Sequence, residues 1–462
     1  MNVNINRSYA SLFRRLPTTA FAVMFAAVSL LLSAAPAEAA NSPALRLIKI
    51  IPINGTAGNP SKQLNSFDIS FFDPRTGLYF LADRSNAALD VIDTTGAFTG
   101  VADTLFGQIG GPAFGFAGDT GRTATSGPNG VVAASPCIFT TDGPSRVVSI
   151  NSNASFIQPV SSISTGGQFR ADELAFDPLD RELLVINNAD TPAFGTLISV
   201  SLTCQLTIRG KINFTSAGTG GLVNATNGAE QPVWDPLTQR FYVSIPEVNG
   251  PGGGGPNGGV VQITPGGAVA AFYPINFCQP AGLTVGPNGD LLVGCNTVFD
   301  FQGKACSAVV PSPSPAGSPA GAPAICSANG NPQTVICNPS RGCTPSNGSQ
   351  VAVYGVGGGD EVWFNPGDGN YYVTAHNNPL GPSLGVIKSV SNNLTQILPT
   401  LPPTVAVPNV HGSGTAHSVA ASSLNNHVYL PLPANNAYTT VFDGGVLNNG
   451  CGEGCVAVFS AE

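Results

Sequence analysis

Charge is scarce in this chain: only 10% of its 462 residues are Asp, Glu, Lys or Arg, and the formal net charge is −8 at pH 7. No cluster of Lys and Arg is dense enough to neutralise a row of phosphates, which argues against nucleic acid or an anionic membrane as partner. Helix formers are thin, while 56 Gly and 39 Pro stand beside much Asn, Ser and Thr. That balance disfavours helices and favours turns, which points to an all-β fold. Beyond the N-terminal segment there is no second long apolar run, so no integral membrane segment is expected. Absent too are GxSxG, HExxH, a P-loop and a Rossmann fingerprint following a strand. The glycines at 250–255 and 357–359 lack the helix that phosphate binding requires.

What is present begins with a leader. Arg7, Arg14 and Arg15 precede a mostly apolar run from Ala20 to Ala35, and Ala37-Glu38-Ala39 puts small residues where a signal peptidase reads. A signal peptide over residues 1–39 is expected, with cleavage after Ala39 and a periplasmic or secreted product. A membrane anchor is the alternative, but the run is short for a bilayer span. Arg14-Arg15 hints at twin-arginine export, although Pro17 and the missing flanking pattern leave the route open. The remainder, 40–462, reads as one domain and is expected to be monomeric.

Ten cysteines in an exported chain suggest disulfides before metal ligands. Cys278 and Cys295 bracket a predicted hairpin, and Cys451 and Cys455 sit in a Gly-rich turn, so each pair can bridge locally. Cys306, Cys326, Cys337 and Cys343 share a Cys- and Pro-rich insertion at about 297–349, with spacings unlike paired CxxC zinc sites. Cys137 and Cys204 are left to pair or to stay buried and free. The stretch 309–333 is too rich in Pro, Ser, Ala and Gly to bury a core.

Laid on itself, the chain repeats. "FDISFFDPRTGLYFLAD" (67–83), "ADELAFDPLDRELLVIN" (171–187), "AEQPVWDPLTQRFYVSI" (229–245) and "GDEVWFNPGDGNYYVTAH" (359–376) are each strand, turn, strand. Weaker copies start at 129, 280 and 416, for seven in all. Asp-Pro or Asn-Pro presets the turn, and an aromatic or β-branched run then suits a central strand. Copies recur at intervals of 42 to 79 residues. That fits four-stranded blades with variable loops, hence a seven-bladed β-propeller. The last copy ends one strand short, and Leu45 to Ile53 is predicted to supply it, closing the ring and removing exposed edges. Two packed sandwiches are the runner-up.

In such a blade the start of the first strand and the end of the second lie at one mouth of the central channel. The first set is Asp68, Asp172, Glu173, Glu230, Asp360, Glu361 and His417; the second is Asp83, Arg84, Asp142, Asn187, Asn296 and His376. Carboxylates crowded at one opening need a cation, a buried proton or donor groups to offset them, and Ca²⁺ or Mg²⁺ would serve. The blander alternative is that each carboxylate bonds backbone of the next blade. His376, His411 and His417 are the candidate catalytic residues, able to act as acid and base or to hold a metal. His427 opens a second strand and is assigned to the opposite face. Asp68, Asp172, Glu173, Asp360 and Glu361 are candidate ligand-binding residues.

With its Asp-Pro turn, its strand ending in Asp or Asn and its following "VID", the unit resembles the YVTN-type seven-bladed propellers. "ALDVIDTTG" (88–96) and "HSVAASSLNNHVYLPL" (417–432) carry the likeness. It covers nearly the whole mature chain and implies an exported binding or scaffolding protein for a small molecule, glycan or protein. "EQPVWDP" (230–236) and "PNGVVAASP" (128–136) are similar to segments of gluconolactonase and regucalcin-like propellers. That likeness implies a metal held by Glu230 and Asn129, and a lactonase-like hydrolase; Ala281 stands where that family has a metal-binding Asp. Virginiamycin-lyase-like propellers, with His and Glu around Mg²⁺, are a looser likeness. Whether the chain is an enzyme stays open at this level.

Overall fold

The Asp-Pro dipeptides do locally what the repeat requires. The Asp73 carboxylate accepts from Arg75 N at 3.0 Å and from Thr76 Oγ1 at 2.9 Å, while Gly77 N closes the turn onto Asp73 O at 2.9 Å. Gly77 takes a φ of +70°, where a side chain would be strained. Asp235 repeats the arrangement with Leu237 N and Thr238 Oγ1. Each such turn joins a short first strand to a second strand of mostly buried aromatic and β-branched residues, such as Leu78–Asp83 and Asn370–Ala375.

A computed structural model describes residues 44–56, 58–153, 158–299, 303–305, 332–378, 382–400, 416–434 and 451–461. The expected signal peptide, His411, Cys306 and Cys326 lie outside the described residues. The described chain forms seven four-stranded antiparallel sheets, each a blade running outward from the channel. First strands are Ser70–Asp73, Val131–Ala134, Leu174–Asp177, Pro232–Asp235, Cys278–Val285, Val362–Asn365 and Ala420–Ala421. In the seventh blade the outer strand is N-terminal: Arg46–Pro52 pairs antiparallel with Cys455–Ser460. The predicted ring closure is thus observed, with Ser70 N donating to Ser418 Oγ at 2.9 Å across the same seam.

The buried apolar side chains fall into seven clusters, one for each seam between adjacent blades. Tyr79, Tyr242, Tyr371, Tyr372 and Tyr429 are fully buried there. Burying such a side chain contributes roughly 2 kcal/mol, so the ring is held by its seams rather than by one central core. Within the segment at about 297–349, Pro332–Cys337 pairs with Leu291–Val298 and Gln350–Tyr354, so part of it is blade. Disulfides join Cys137–Cys204, Cys278–Cys295, Cys337–Cys343 and Cys451–Cys455. Both local bridges expected from sequence form, and Cys137 and Cys204 tie blade two to blade three. Among the described residues no helix is long and apolar enough to cross a membrane.

Candidate functional site

The residue just ahead of each first strand is set by a backbone bond to its own second strand. Asp68 N, Asn129 N, Asp172 N, Glu230 N and Asp360 N donate to Ala82 O, Thr141 O, Ile186 O, Ser244 O and Thr374 O. The same register in five blades carries these side chains to one end of the channel. There a cavity of about 610 Å³ has Asp68, Arg84, Arg170, Asp172, Glu173 and Glu230 in its wall, together with Asn296, Asp360, His376 and His417 and, toward its edge, Asp119 and Arg122.

The next residue in each copy is Ile69, Gly130, Glu173, Gln231, Gly282, Glu361 or Ser418. Two are glycine because neighbouring backbone passes there. A Cβ on Gly282 would sit 2.1 Å from Asp360 O, and one on Gly130 would sit 2.5 Å from Asp172 O. These glycines bring the acidic copies together.

The carboxylates are offset mainly by arginines. Asp68 pairs with Arg84, whose Nε also donates to Asn129 Oδ1 at 2.8 Å. Asp172 pairs with Arg170 at 2.7 Å. His417 lies stacked on Phe67, with ring centroids 4.6 Å apart, and its Nε2 reaches Phe67 O at 3.1 Å and Asp68 Oδ1 at 3.7 Å. His376 stands edge-on to it at 6.3 Å. Asn188 Nδ2 donates to Glu230 Oε2 at 3.2 Å, and Asn377 Nδ2 to Asn296 Oδ1 at 2.8 Å.

These contacts divide the acids into two kinds. Burial opposes ionisation of Asp68, but Arg84, the His417 hydrogen bond and Arg170 outweigh it and hold the carboxyl well below its usual range. Burial, with the nearby Asp68 charge, pushes Asp172 up to about 6 against the pull of Arg170. Burial and the Asp172 and Asp360 carboxylates push Glu230 up to about 8, against Arg170 and Asn188. Burial and four neighbouring acids, Glu361 first among them, push Glu173 well above the carboxylate range. With a value of about 8, Glu230 is mainly protonated at neutral pH, and the shift at Glu173 runs in the same direction.

Several expectations need correcting. Glu361 is not in the cavity wall: it is buried, bonded to Gln231 Nε2 and Ser418 Oγ, each at 3.0 Å. Asp83, Asp142 and Asn187 also turn from the mouth, because the strand-end register aims them at turn residues: Asn86, Arg146 and Ser145 respectively. Asn129 does not face the cavity. Its amide is spent on Arg84 and on Ala171 O. Among the described residues no group of three His, Cys, Asp or Glu is placed to hold a metal ion. His427 lies apart, bonded at 3.0 Å to Asp103, as its strand position predicts. Sequence reasoning missed Arg170 and Asn188. The available signal for Arg170 was its position two residues before Asp172 in an extended chain, which puts both on one side.

No protein-family model matches this chain, and no curated protein matches its sequence. Among solved structures, hydrazine synthase of Kuenenia stuttgartiensis matches at 12% identity and TM-score 0.54, over 83% of this chain and 96% of that one. The Pan2 WD40 domain of Neurospora crassa matches at 10% identity and TM-score 0.52, over 91% and 97%. At such identities the likeness is one of fold: both support the β-propeller.

Proposed function

We propose that this chain is an exported β-propeller that binds a small, neutral, polyhydroxylated molecule, a monosaccharide or close relative, at the acidic mouth. The observation that carries the reading is charge compensation. Two acids are paired with arginines, and burial favours the protonated forms of Glu173 and Glu230, so much of the acidic charge in the wall is offset and the wall offers both donors and acceptors. Such a surface suits hydroxyl groups, which both donate and accept, better than it suits a free ion. The volume of about 610 Å³ lies in the range of small-molecule sites. The leader, the four disulfides and the YVTN-like repeat support export to the periplasm or beyond.

A Ca²⁺- or Mg²⁺-dependent lactonase-like hydrolase or lyase is the competing use of the same acids. It draws on the local likeness at Glu230 and Asn129, but Asn129 is turned to Arg84.

The test is isothermal titration of purified mature protein with a panel of monosaccharides and disaccharides, in chelator and again with Ca²⁺. Binding by at least one sugar in chelator, weakened tenfold or more in Arg170→Ala, supports the reading. Binding that needs Ca²⁺, or turnover of a lactone panel, overturns it in favour of the hydrolase. No binding by any sugar refutes the ligand class.

A further inference from the structure

A second cavity, of about 750 Å³, occupies the other end of the channel. Its walls are first strands and the turns that follow them. The Phe71, Phe176, Trp234, Trp363 and Phe364 rings line it, with Pro74, Pro178 and Pro236 at the turns. Trp234 and Trp363 are the only two tryptophans in the sequence. Both indole N–H groups are inaccessible to solvent, so what each indole presents to the cavity is ring carbon. Trp234 is braced edge-on by Phe241 at 4.8 Å, and Trp363 by Phe71 at 5.5 Å. The rings are thereby held in place before anything enters.

The rim has the opposite character. Arg75 is exposed on its turn, and Arg181 lies 5.9 Å over the Phe176 ring with its guanidinium tied to Val200 O and Ser201 O. Asp73, the acid nearest them in the lining, has its oxygens taken by its own turn. Arg75 and Arg181 are the two cationic side chains in the lining of this cavity. Glu173 and Ile69 line both cavities and so stand between them. Burial and neighbouring acids shift Glu173 toward its uncharged form.

We propose that this channel is a second binding site, for an apolar ring-bearing small molecule with one anionic group: rings against the tryptophans and phenylalanines, anion toward Arg75 and Arg181. Offset and edge-to-face contacts give aromatic rings specific partners here, beyond the gain from removing them from water. The site does not rest on what the mouth binds, although the two cavities share Glu173 and Ile69.

Because both tryptophans line the channel, tryptophan emission excited selectively over the tyrosines reads occupancy there, and Ala133→Phe separates contact quenching from energy transfer to a dye bound elsewhere. The experiment titrates the mature protein with 1-anilinonaphthalene-8-sulfonate, an aromatic sulfonate, and with the uncharged N-phenyl-1-naphthylamine. The expected result is saturable one-to-one quenching of tryptophan emission with energy transfer to the dye. Ala133→Phe, which fills the channel from its wall, should weaken both dyes at least tenfold. Arg75→Gln, an exposed change that leaves the fold intact, should weaken the sulfonate by about 3-fold and leave the uncharged dye unchanged. Dye binding without tryptophan quenching, or affinity unaltered in a folded Ala133→Phe, would place the dye elsewhere and overturn the proposal. If Arg75→Gln affects neither dye, the anionic part of the ligand class fails. Should Ala133→Phe not fold, absence of saturable quenching in the unaltered protein up to the solubility limit of the sulfonate is equally fatal.

Discussion

Replacing Glu230 with Gln should make the protein more stable, and only at higher pH. In the unfolded chain this carboxyl ionises near 4.5; in the folded mouth, burial and the Asp172 and Asp360 carboxylates move it to about 8. Between those values the native state carries a proton that the unfolded state has released. Stability must therefore fall as pH rises through that window, by at most about 1.4 kcal/mol per pH unit. Below 4.5 both states are protonated and the residue contributes nothing to the slope; above 8 the loss is complete. The ceiling is about 5 kcal/mol. Glu230 is only partly buried and lines the open mouth, where solvent screens the charge, so about 2 kcal/mol is the working expectation. Gln keeps the shape and carries no charge. For a domain of this size 2 kcal/mol moves the midpoint by about 2 °C. The assay is thermal unfolding of both proteins at pH 4.5, 6, 7 and 8.5, read as their difference in Tm so that other acids cancel. The variant should match the unaltered protein at the acid end and exceed it at the basic end. A difference that is constant with pH, or that grows toward acid, would refute the assignment of a protonated Glu230.

Two further outcomes follow from packing and chain connectivity. Replacing Cys137 and Cys204 together with Ala removes a bridge spanning 67 residues, worth about 4 kcal/mol in the unfolded-chain entropy account, so scanning calorimetry should show a midpoint about 5 °C lower. Gly282→Ala places a Cβ 2.1 Å from Asp360 O, so it should cost about 1–3 kcal/mol in denaturant titration and weaken ligand binding at the mouth, whereas a Gly100→Ala control meets no neighbouring atom. Gly100 adopts a positive φ of +79°, so its own cost should be backbone strain of about 1 kcal/mol with no effect on the mouth.

The blades were legible in sequence because each one repeats a local code. Asp73-Pro74 through Gly77 closes a turn by itself, and Leu78–Asp83 is a strand whatever surrounds it. Ring closure was legible for a similar reason, since a last repeat one strand short and a spare N-terminal strand leave a single economical pairing. The positions of Asp68, Asp172, Glu230 and Asp360 followed from register, which the repeat supplies. Chemistry at those positions did not follow. Whether a carboxyl is charged depends on what surrounds it in the assembled ring, and Arg170 and Asn188, which flank the copy at 171–187, come to their partners from outside the aligned pattern.

The same distinction explains the misplaced residues. Glu361 sits one residue from Asp360, yet alternation along the strand buries it against Gln231 and Ser418. Asp83 and Arg84 end one strand together, but Asp83 folds back to Asn86 while Arg84 enters the cavity. Alone, the sequence determined a seven-bladed ring, its closure and the end of the channel at which the acids gather, because those are consequences of local turns and strand periodicity. Tertiary structure alone decided which acids are paired, which hold protons, that Cys137 bonds Cys204, and that the opposite end is an aromatic channel. The Cys137–Cys204 bridge and the mutual burial of the acids depend on distances between blades, and even the pairs within one blade, Asp68–Arg84 and Asp172–Arg170, depend on side-chain directions that the repeat pattern does not specify.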